Sequence, residues 1–336
     1  MAVPFLTSSM NNRLGIIDLG TNTFHLLIVE LPGDTFQNDS STRKPSRTLF
    51  RESRAAKIGE GGINQSLITE AATERAFTVL HYFREKLLAY EVPPERTYAF
   101  GTSAIRNATN GGEFCQTVQE STGITIQVID GVREADYIYR GVREALDLGD
   151  EPSLVMDIGG GSVEFIMGNR SQIFWKQSFE IGGQRLLEKF MRTDPLSEAD
   201  RKRLYHYFDE QLIPLANAVH QYAPVGLVGA SGSFDTLVAM DHQHRTGAWP
   251  DADQTGFEVP LPEFRRSYVE LLTKNHAQRM AIPGMITLRV DMIVVAVCLI
   301  DYVLQTYHIP RLRVSNYALK EGVLYSMDSG KLKVES

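Results

Sequence analysis

The sequence predicts an α/β protein built from two similar domains that face each other across a cleft. Three observations lead to this prediction. The chain has 336 residues, which exceeds the roughly 100 to 200 residues of one typical domain. Short apolar strands alternate with amphipathic helical patterns along its length. One strand-turn-strand segment near the start recurs in the second half, which indicates a duplicated fold.

Composition narrows the class of protein. The apolar fraction of 43% and the charged fraction of 22% are typical of a globular chain. The net charge of -7 argues against broad binding to nucleic acid or acidic membranes, because both need a positive field. Cys115 and Cys298 are the only cysteines, which excludes a disulfide framework and a zinc site and fits a reducing cytoplasm.

The chain is expected to be cytoplasmic and to bind neither a membrane nor nucleic acid. Its first residues do not resemble a signal peptide. The longest apolar run, Met292 to Ile300, falls short of the roughly 20 residues that a membrane-spanning helix needs. We therefore predict a buried helix at this position.

The predicted organisation has a leader and two domains. Residues 1–13 lack periodicity and are expected to form a loose leader. Residues 14–130 form the first domain and residues 131–336 the second, with the last helix able to pack back on the first domain. The predicted boundary between the two domains lies at the turn Asp130-Gly131, before a helix that begins near Arg133.

The first domain opens with a hairpin in which two apolar strands flank the turn Gly20 to Thr23. An amphipathic helix begins at Thr69. The strand Tyr98 to Phe100 then leads through the loop Gly101 to Ser103 into a helix that carries Arg106. Because a helix N-terminus presents free N–H groups and the positive end of a dipole, this loop is predicted to bind phosphate.

The second domain begins in the same way. Strands at 153–157 and 163–167 flank a glycine-rich turn at 159–162. A strand at 225–228 precedes a second glycine-containing turn, and a long apolar helix covers 290–304. A strand at 312–315 and a helix from Ala318 complete the predicted elements.

The internal repeat indicates which ligands the protein binds. Asp18 to His25 aligns with Asp157 to Glu164 at a constant offset of 139 residues. Glycines and short hydroxyl residues let backbone N–H groups approach phosphate oxygens, and an acidic residue at a strand end suits Mg²⁺. One copy is equally compatible with a plain structural hairpin. The matched pair favours two phosphate-binding loops on opposite sides of a cleft.

Six collinear segments carry a family resemblance: DLGTNTFHLLI, GTSAIRNATN, VIDGVREA, MDIGGGSVEF, VGASGSF and PGMITLRVD. With them the sequence resembles the exopolyphosphatase and guanosine pentaphosphate phosphohydrolase family, within the actin, sugar kinase and Hsp70 ATPase superfamily. The resemblance implies duplicated ribonuclease H-like, actin-like ATPase domains. This chain differs in its third glycine loop, Gly229 to Ser233, and in Asn316 and Lys320, where relatives often carry Asp and Arg.

The resemblance also implies roles for individual residues. Glu134 is implied as the catalytic carboxylate, and Asp157 and Glu164 as ligands of Mg²⁺. The implied phosphate contacts lie in four loops and at two basic positions: Asn22, Thr23, Ser103, Arg106, Gly159, Gly160, Gly161, Ser162, Gly229, Ser231, Gly232 and Arg289.

Several of these residues have simpler interpretations. Glu134 could be an ordinary solvent-facing residue of a first helical turn, where the dipole favours acidic side chains. The motif GVREA occurs twice and contains Glu134 in its first copy and Glu144 in its second. Glu144 projects about 80° away from Glu134 around the helix, so the two cannot share one position in the site. Arg106 could pair with a carboxylate, and Arg289 and His25 could be structural; His25 is given no catalytic role.

The implied reaction is Mg²⁺-dependent hydrolysis of the terminal phosphoanhydride of inorganic polyphosphate, with release of orthophosphate. Hydrolysis of guanosine pentaphosphate (pppGpp) is the alternative, because the same site would accept either chain end. A kinase or ATPase that binds ATP and a silent anion-binding regulator are the other classes. A homodimer is expected, since twofold dimers are the commonest soluble oligomers.

Overall fold

A computed structural model of the protein describes residues 12–32 and 46–328. The described strands form two sheets. The first sheet holds Arg13–Leu19 (β1), Thr23–Glu30 (β2), Arg47–Ala55 (β3), Thr97–Gly101 (β4) and Ile126–Val128 (β5). The second holds Ser153–Ile158 (β6), Val163–Gly168 (β7), Ile173–Phe179 (β8), Leu227–Ala230 (β9), Gly256–Glu258 (β10) and Leu312–Ser315 (β11).

Helices surround the two sheets. In chain order they are Glu70–Ala89 (α1), Ser103–Asn107 (α2), Gly111–Thr122 (α3), Gly131–Ala145 (α4), Gly183–Phe190 (α5), Glu198–Gln211 (α6), Ile213–Tyr222 (α7), Gly232–Thr246 (α8), Leu261–Thr273 (α9), His276–Met280 (α10), Ile293–Thr306 (α11) and Leu319–Asp328 (α12). Short 3₁₀ turns at 63–65, 94–96 and 287–289 complete the regular structure.

The two sheets repeat one topology. The first has the order β3-β2-β1-β4-β5, and the second has β8-β7-β6-β9-β11 with β10 added at its edge. In each sheet, neighbours among the first three strands of this order are antiparallel. The fourth strand pairs in parallel with the third, and the fifth pairs in parallel with the fourth. The predicted duplicated α/β fold is confirmed.

Strand register places equivalent residues opposite each other. Asp18 pairs with His25 across the first hairpin, and Asp157 pairs with Glu164 across the second. The seven-residue spacing seen in the sequence is therefore the register of a tight antiparallel hairpin. Both hairpins turn at the same end of their sheets, which carries the polar residues of the site.

Helices α4 and α12 pack between the two sheets. A buried cluster joins Leu14 of β1, Ile138 of α4, Val155 of β6 and Val323 of α12. The two helices meet backbone to backbone, because a Cβ atom on Gly322 would collide with the carbonyl of Tyr137. The last described helix thus contacts β1 of the first sheet. The domain limit at residue 130 stays a prediction, since α4 packs against both sheets.

Some predicted boundaries change. Residues 1–11 of the predicted leader lie outside the described residues, and Arg13 already begins β1. The apolar helix starts at Ile293 rather than Val290, because the 3₁₀ turn at 287–289 precedes it. Within residues 12–32 and 46–328, no helix combines the length and apolar content that crossing a membrane requires.

Candidate active site

The two hairpin turns meet at one cavity of about 250 Å³. A Cβ atom on Gly161 would lie 2.5 Å from Ser103 Oγ and 2.6 Å from Thr21 Oγ1. One on Gly160 would lie 2.9 Å from Asn22 Oδ1. These two glycines therefore let the second loop touch the first, a requirement that the sequence analysis attributed only to phosphate.

Most of the residues predicted for the site line this cavity. They come from both hairpins, from α2 and α4, from the loop before α8 and from the 3₁₀ turn at 287–289: Asn22, Thr23, Ser103, Glu134, Asp157, Gly159, Gly160, Gly161, Ser162, Glu164, Ser231, Gly232 and Arg289. The fold thus gathers residues that are up to 267 positions apart in the sequence, from Asn22 to Arg289.

Two predicted phosphate contacts, Gly229 and Arg106, do not line the cavity. Gly229 lies inside β9, opposite Met156 of β6, and a side chain there would collide with the ring of Phe234. This glycine is explained by packing and is left out of the proposed phosphate site. Arg106 lies beside the cavity and pairs with the carboxylates of Glu134 and Glu180, and its predicted phosphate contact stays a prediction.

Glu134 lies in the first turn of α4 and faces inward. Asp130 caps this helix, because its side chain accepts the backbone N–H of Arg133 at 2.7 Å. The glutamate is only 7% exposed, and its Oε2 accepts Nη1 of Arg106 at 2.8 Å. Burial and the nearby charge of Glu164 raise its pKa well above the ordinary value, while Arg106 opposes the rise. Glu144, by contrast, is exposed.

Glu164 and Asp157 lie side by side on β7 and β6. Oε1 of Glu164 accepts the hydroxyls of Ser162 and Ser178, each at 2.7 Å. Burial and the charge of Asp157 still raise the pKa of Glu164 to about 7. Burial likewise raises the pKa of Asp157, against the effect of a hydrogen bond from Ser231 and of the charge on Arg289.

Two further carboxyl groups belong to the site. Burial raises the pKa values of Asp18 and Asp235 to about 7, and Lys320 opposes the rise in both. Asp18 ends β1 at the position that Asp157 occupies in the repeat, so the alignment contained the signal for it. Asp235 lies in the first turn of α8 and follows the third glycine loop. No sequence argument singled it out.

This donor set fits Mg²⁺. Buried carboxylates that repel each other gain stability from a nearby cation, which offsets their desolvation. Among residues 12–32 and 46–328, no three acidic, histidine or cysteine side chains are grouped so that they could hold a metal ion by themselves. Mg²⁺ usually takes one or two carboxylates and keeps water and substrate phosphates as its other ligands, so Asp157 and Glu164 suffice for such a site.

Three basic side chains line the cavity. Arg289 is 9% exposed and packs against Gly232, where a Cβ atom would collide with the guanidinium. Lys320, in the first turn of α12, and Arg51 of β3 lie close together, because both pair with Oε1 of Glu321, at 3.3 and 3.1 Å. The sequence motifs did not include Arg51, which lies on the polar edge strand β3, and they marked Lys320 only as a departure from relatives, without a role in the site.

The first loop offers an unpaired acceptor. Nδ2 of Asn22 donates to Gln184 Oε1 at 3.0 Å and to Met292 Sδ at 2.9 Å, whereas the buried Oδ1 has no partner among the described residues. A buried polar atom without a partner is costly, and a bound group that carries donors, such as a hydrated cation, would satisfy it. This oxygen is therefore available to a ligand that carries hydrogen-bond donors.

His25 faces Asp18 at the floor of the cavity. Its Nδ1 lies 2.6 Å from Ser53 Oγ. Burial and the positive charges of Lys320 and Arg289 lower its pKa well below the ordinary value. The ring is thus a neutral, hydrogen-bonded group, in keeping with the structural role considered for it.

Comparisons with known proteins agree with this geometry. Residues 38–330 match the model of the Ppx/GppA phosphatase family. This chain is 46% identical in sequence to an exopolyphosphatase from Cytophaga hutchinsonii with a known crystal structure. The two structures superpose with a TM-score of 0.89, and the match covers 96% of this chain and 100% of that protein. The Aquifex aeolicus Ppx/GppA family member, at 22% identity, covers 96% and 99% with a TM-score of 0.73 and supports the fold.

A third relative is larger. The bifunctional 3-dehydroquinate synthase/phosphatase of Fusobacterium nucleatum is 32% identical over 243 residues, which is 71% of this chain but only 36% of that protein. The chain thus spans about a third of that relative. The protein belongs to the Ppx/GppA phosphatase family. Its predicted family and actin-like fold are confirmed, and family membership supports the prediction of a phosphoanhydride hydrolase.

Proposed function

We propose that this protein is a Mg²⁺-dependent exopolyphosphatase, which removes the terminal phosphate of inorganic polyphosphate as orthophosphate. One observation carries the proposal: the buried carboxylate of Glu134 opens into the same cavity as two facing phosphate loops and the carboxylates of Asp157 and Glu164. The 46% identity to an exopolyphosphatase supports the choice of substrate.

Each part of the cavity has a task in the reaction. Loop residues such as Asn22, Thr23 and Ser162, with Arg289 beside them, bind the terminal phosphate through N–H, hydroxyl and guanidinium donors. Asp157 and Glu164 would hold Mg²⁺, which supplies charge neutralisation on the phosphate oxygens. These contacts orient the chain end without any covalent intermediate.

Glu134 acts as the general base in this proposal. Its raised pKa, caused by burial and by Glu164, makes it a better proton acceptor than a surface glutamate. The ion pair with Arg106 at 2.8 Å fixes the direction of the carboxylate and limits that rise. Arg106 thus positions the base and favours its charged form.

The test is phosphate release from long polyphosphate, short polyphosphate and guanosine pentaphosphate, measured side by side. We expect release from a linear polyphosphate with Mg²⁺ and loss of release in excess chelator. Full activity in chelator would refute the metal assignment. Release from guanosine pentaphosphate alone would favour the alternative substrate, and thermal stabilisation by ATP but not by polyphosphate would favour a kinase or ATPase. Light scattering in the same buffer would test the expected homodimer.

A further inference from the structure

A cluster of hydrogen-bond donors at the edge of the cavity converges on one carboxylate of the protein itself. Glu180 lies between β8 and α5. Its Oε2 accepts the hydroxyl of Ser103 at 2.7 Å and Nη2 of Arg185 at 2.9 Å, and its Oε1 accepts Nη2 of Arg106 at 3.4 Å. Two guanidinium groups and a hydroxyl around one anion are a typical phosphate-binding arrangement.

The donors are held in place by the rest of the fold. Arg185 donates through Nε to the carbonyl of Gly161 at 2.8 Å and through Nη1 to that of Ile63 at 2.7 Å. Arg106 donates through Nη1 to the carbonyl of Ile129 at 3.0 Å and to Glu134. Each arginine therefore has one fixed end and presents Nη2 to the anion position.

Glu180, which occupies the anion position, is more exposed than its donors. The side chain of Glu180 is 43% exposed, whereas those of Arg185 and Arg106 are 11% and 16% exposed. Among the described residues, Glu180 is the only carboxylate that pairs with Arg185. A buried guanidinium needs a partner anion, but its geometry does not require that anion to be a glutamate.

We propose that Arg185 completes a phosphate-binding site with Ser103 and Arg106, two of the contacts that the family resemblance implies, and that Glu180 is a built-in competitor which a phosphate group of the substrate displaces. The inference rests on the proposed function and deepens it. The site borders Gly161 of the second loop, so a phosphate bound there belongs to the same chain as the phosphate under attack. A phosphate group carries more negative charge than a carboxylate and has more acceptor oxygens, which allows the exchange.

Glu180→Gln tests the competition, because glutamine keeps the size and an acceptor oxygen but loses the charge. We expect the variant to bind orthophosphate and tripolyphosphate about tenfold more tightly at low salt, as measured by titration calorimetry, which corresponds to about 1.4 kcal/mol. The KM for polyphosphate should fall in parallel. Glu180→Ser serves as a second variant if the glutamine form does not fold.

Glu188→Gln is the matched control. Glu188 also reaches across the cleft, where it accepts hydrogen bonds from the N–H of Gly61 at 3.0 Å and Nδ2 of Asn64 at 3.1 Å. It further accepts Nε2 of Gln184 at 3.0 Å, and it pairs with neither arginine. Its replacement should leave anion binding unchanged. Unchanged or weaker binding in Glu180→Gln would overturn the proposal, and so would equal tightening in both variants, which would assign the effect to cleft opening.

Anion binding and hydrolysis are read separately in this design. A wild-type protein that fails to hydrolyse polyphosphate would refute the proposed function. If Glu180→Gln alone binds anions more tightly, that result would still support a phosphate site that Glu180 occupies in the free protein. Hydrolysis by the wild type without that difference in binding would refute the inference and leave the proposed function standing.

Discussion

Replacement of Glu134 by glutamine tests the proposed base most directly. The amide keeps the shape of the side chain and can still accept a hydrogen bond from Arg106, but it cannot take a proton from water. General bases contribute about 10² to 10⁴ in rate, which corresponds to about 3 to 5 kcal/mol of activation free energy. We therefore expect kcat to fall by that factor while substrate affinity changes little.

The structure also limits the effect on stability. Loss of one partner from a buried ion pair typically costs about 3 to 5 kcal/mol. Here Arg106 keeps Glu180 and the carbonyl of Ile129 as partners, and the repulsion between Glu134 and Glu164 disappears. The free energy of unfolding should consequently fall by less than about 3 kcal/mol, and thermal unfolding measures it.

Glu144→Gln is the internal control, because it changes the same residue type in the second copy of GVREA on the same helix. Glu144 is exposed, so kcat should stay within about twofold of the wild-type value. Steady-state phosphate release on one substrate compares the two variants. Equal losses would indicate damage to α4, and full activity in both would remove Glu134 from the mechanism.

Three further perturbations follow from the site. Arg106→Ala should lower kcat and move the rising limb of the pH–rate profile to higher pH, since the guanidinium holds down the pKa of the catalytic carboxyl; an unshifted profile would contradict this role. Gly161→Ala should abolish phosphate release by forcing the loops apart, whereas Gly112→Ala, in open space on α3, should leave activity intact and stabilise the fold by up to about 1 kcal/mol. The pKa values of Asp18 and Glu164 are raised from 3.8 and 4.5 to about 7 in the folded protein. Their contribution to the stability of the folded state is therefore fully present below the pKa values of the unfolded chain and is lost as the pH rises through 7. Metal-free protein should thus unfold at a lower temperature at pH 8 than at pH 6, and Mg²⁺ should narrow the gap; a flat profile would refute the carboxylate cluster.

Local pattern was enough to predict the centre of each domain. The hairpins at Asp18 and Asp157 were predictable because alternation, turn glycines and register are properties of about ten consecutive residues. β3, at Arg47–Ala55, was missed because it is a polar edge strand with several exposed side chains and no apolar alternation. The same polarity hid Arg51, which lines the cavity.

Site residues were predictable only where a local sequence motif fixes the direction of the side chain. Glu134 follows a strand and a capped turn, and the structure brings it into the cavity. Arg106 was predicted to bind phosphate, but the start of α4 lies close enough to pair it with Glu134, which no local pattern encodes. Glu180 and Arg185 meet Ser103 only through the packing of α5 against the first domain. Contacts between distant segments are set by tertiary structure rather than by spacing.

The cluster around α4 and α12 joins the two ends of the described chain. Leu14 and Leu324 share one apolar core although almost the whole described chain separates them. Contacts between such distant segments require the closure of a long loop, which costs conformational entropy. During synthesis the part of β1 that α12 covers therefore lacks this cover until residues beyond 318 leave the ribosome. Lys320 arrives in the same step, so a nascent chain acquires its inter-sheet core and the last cation of its cavity together.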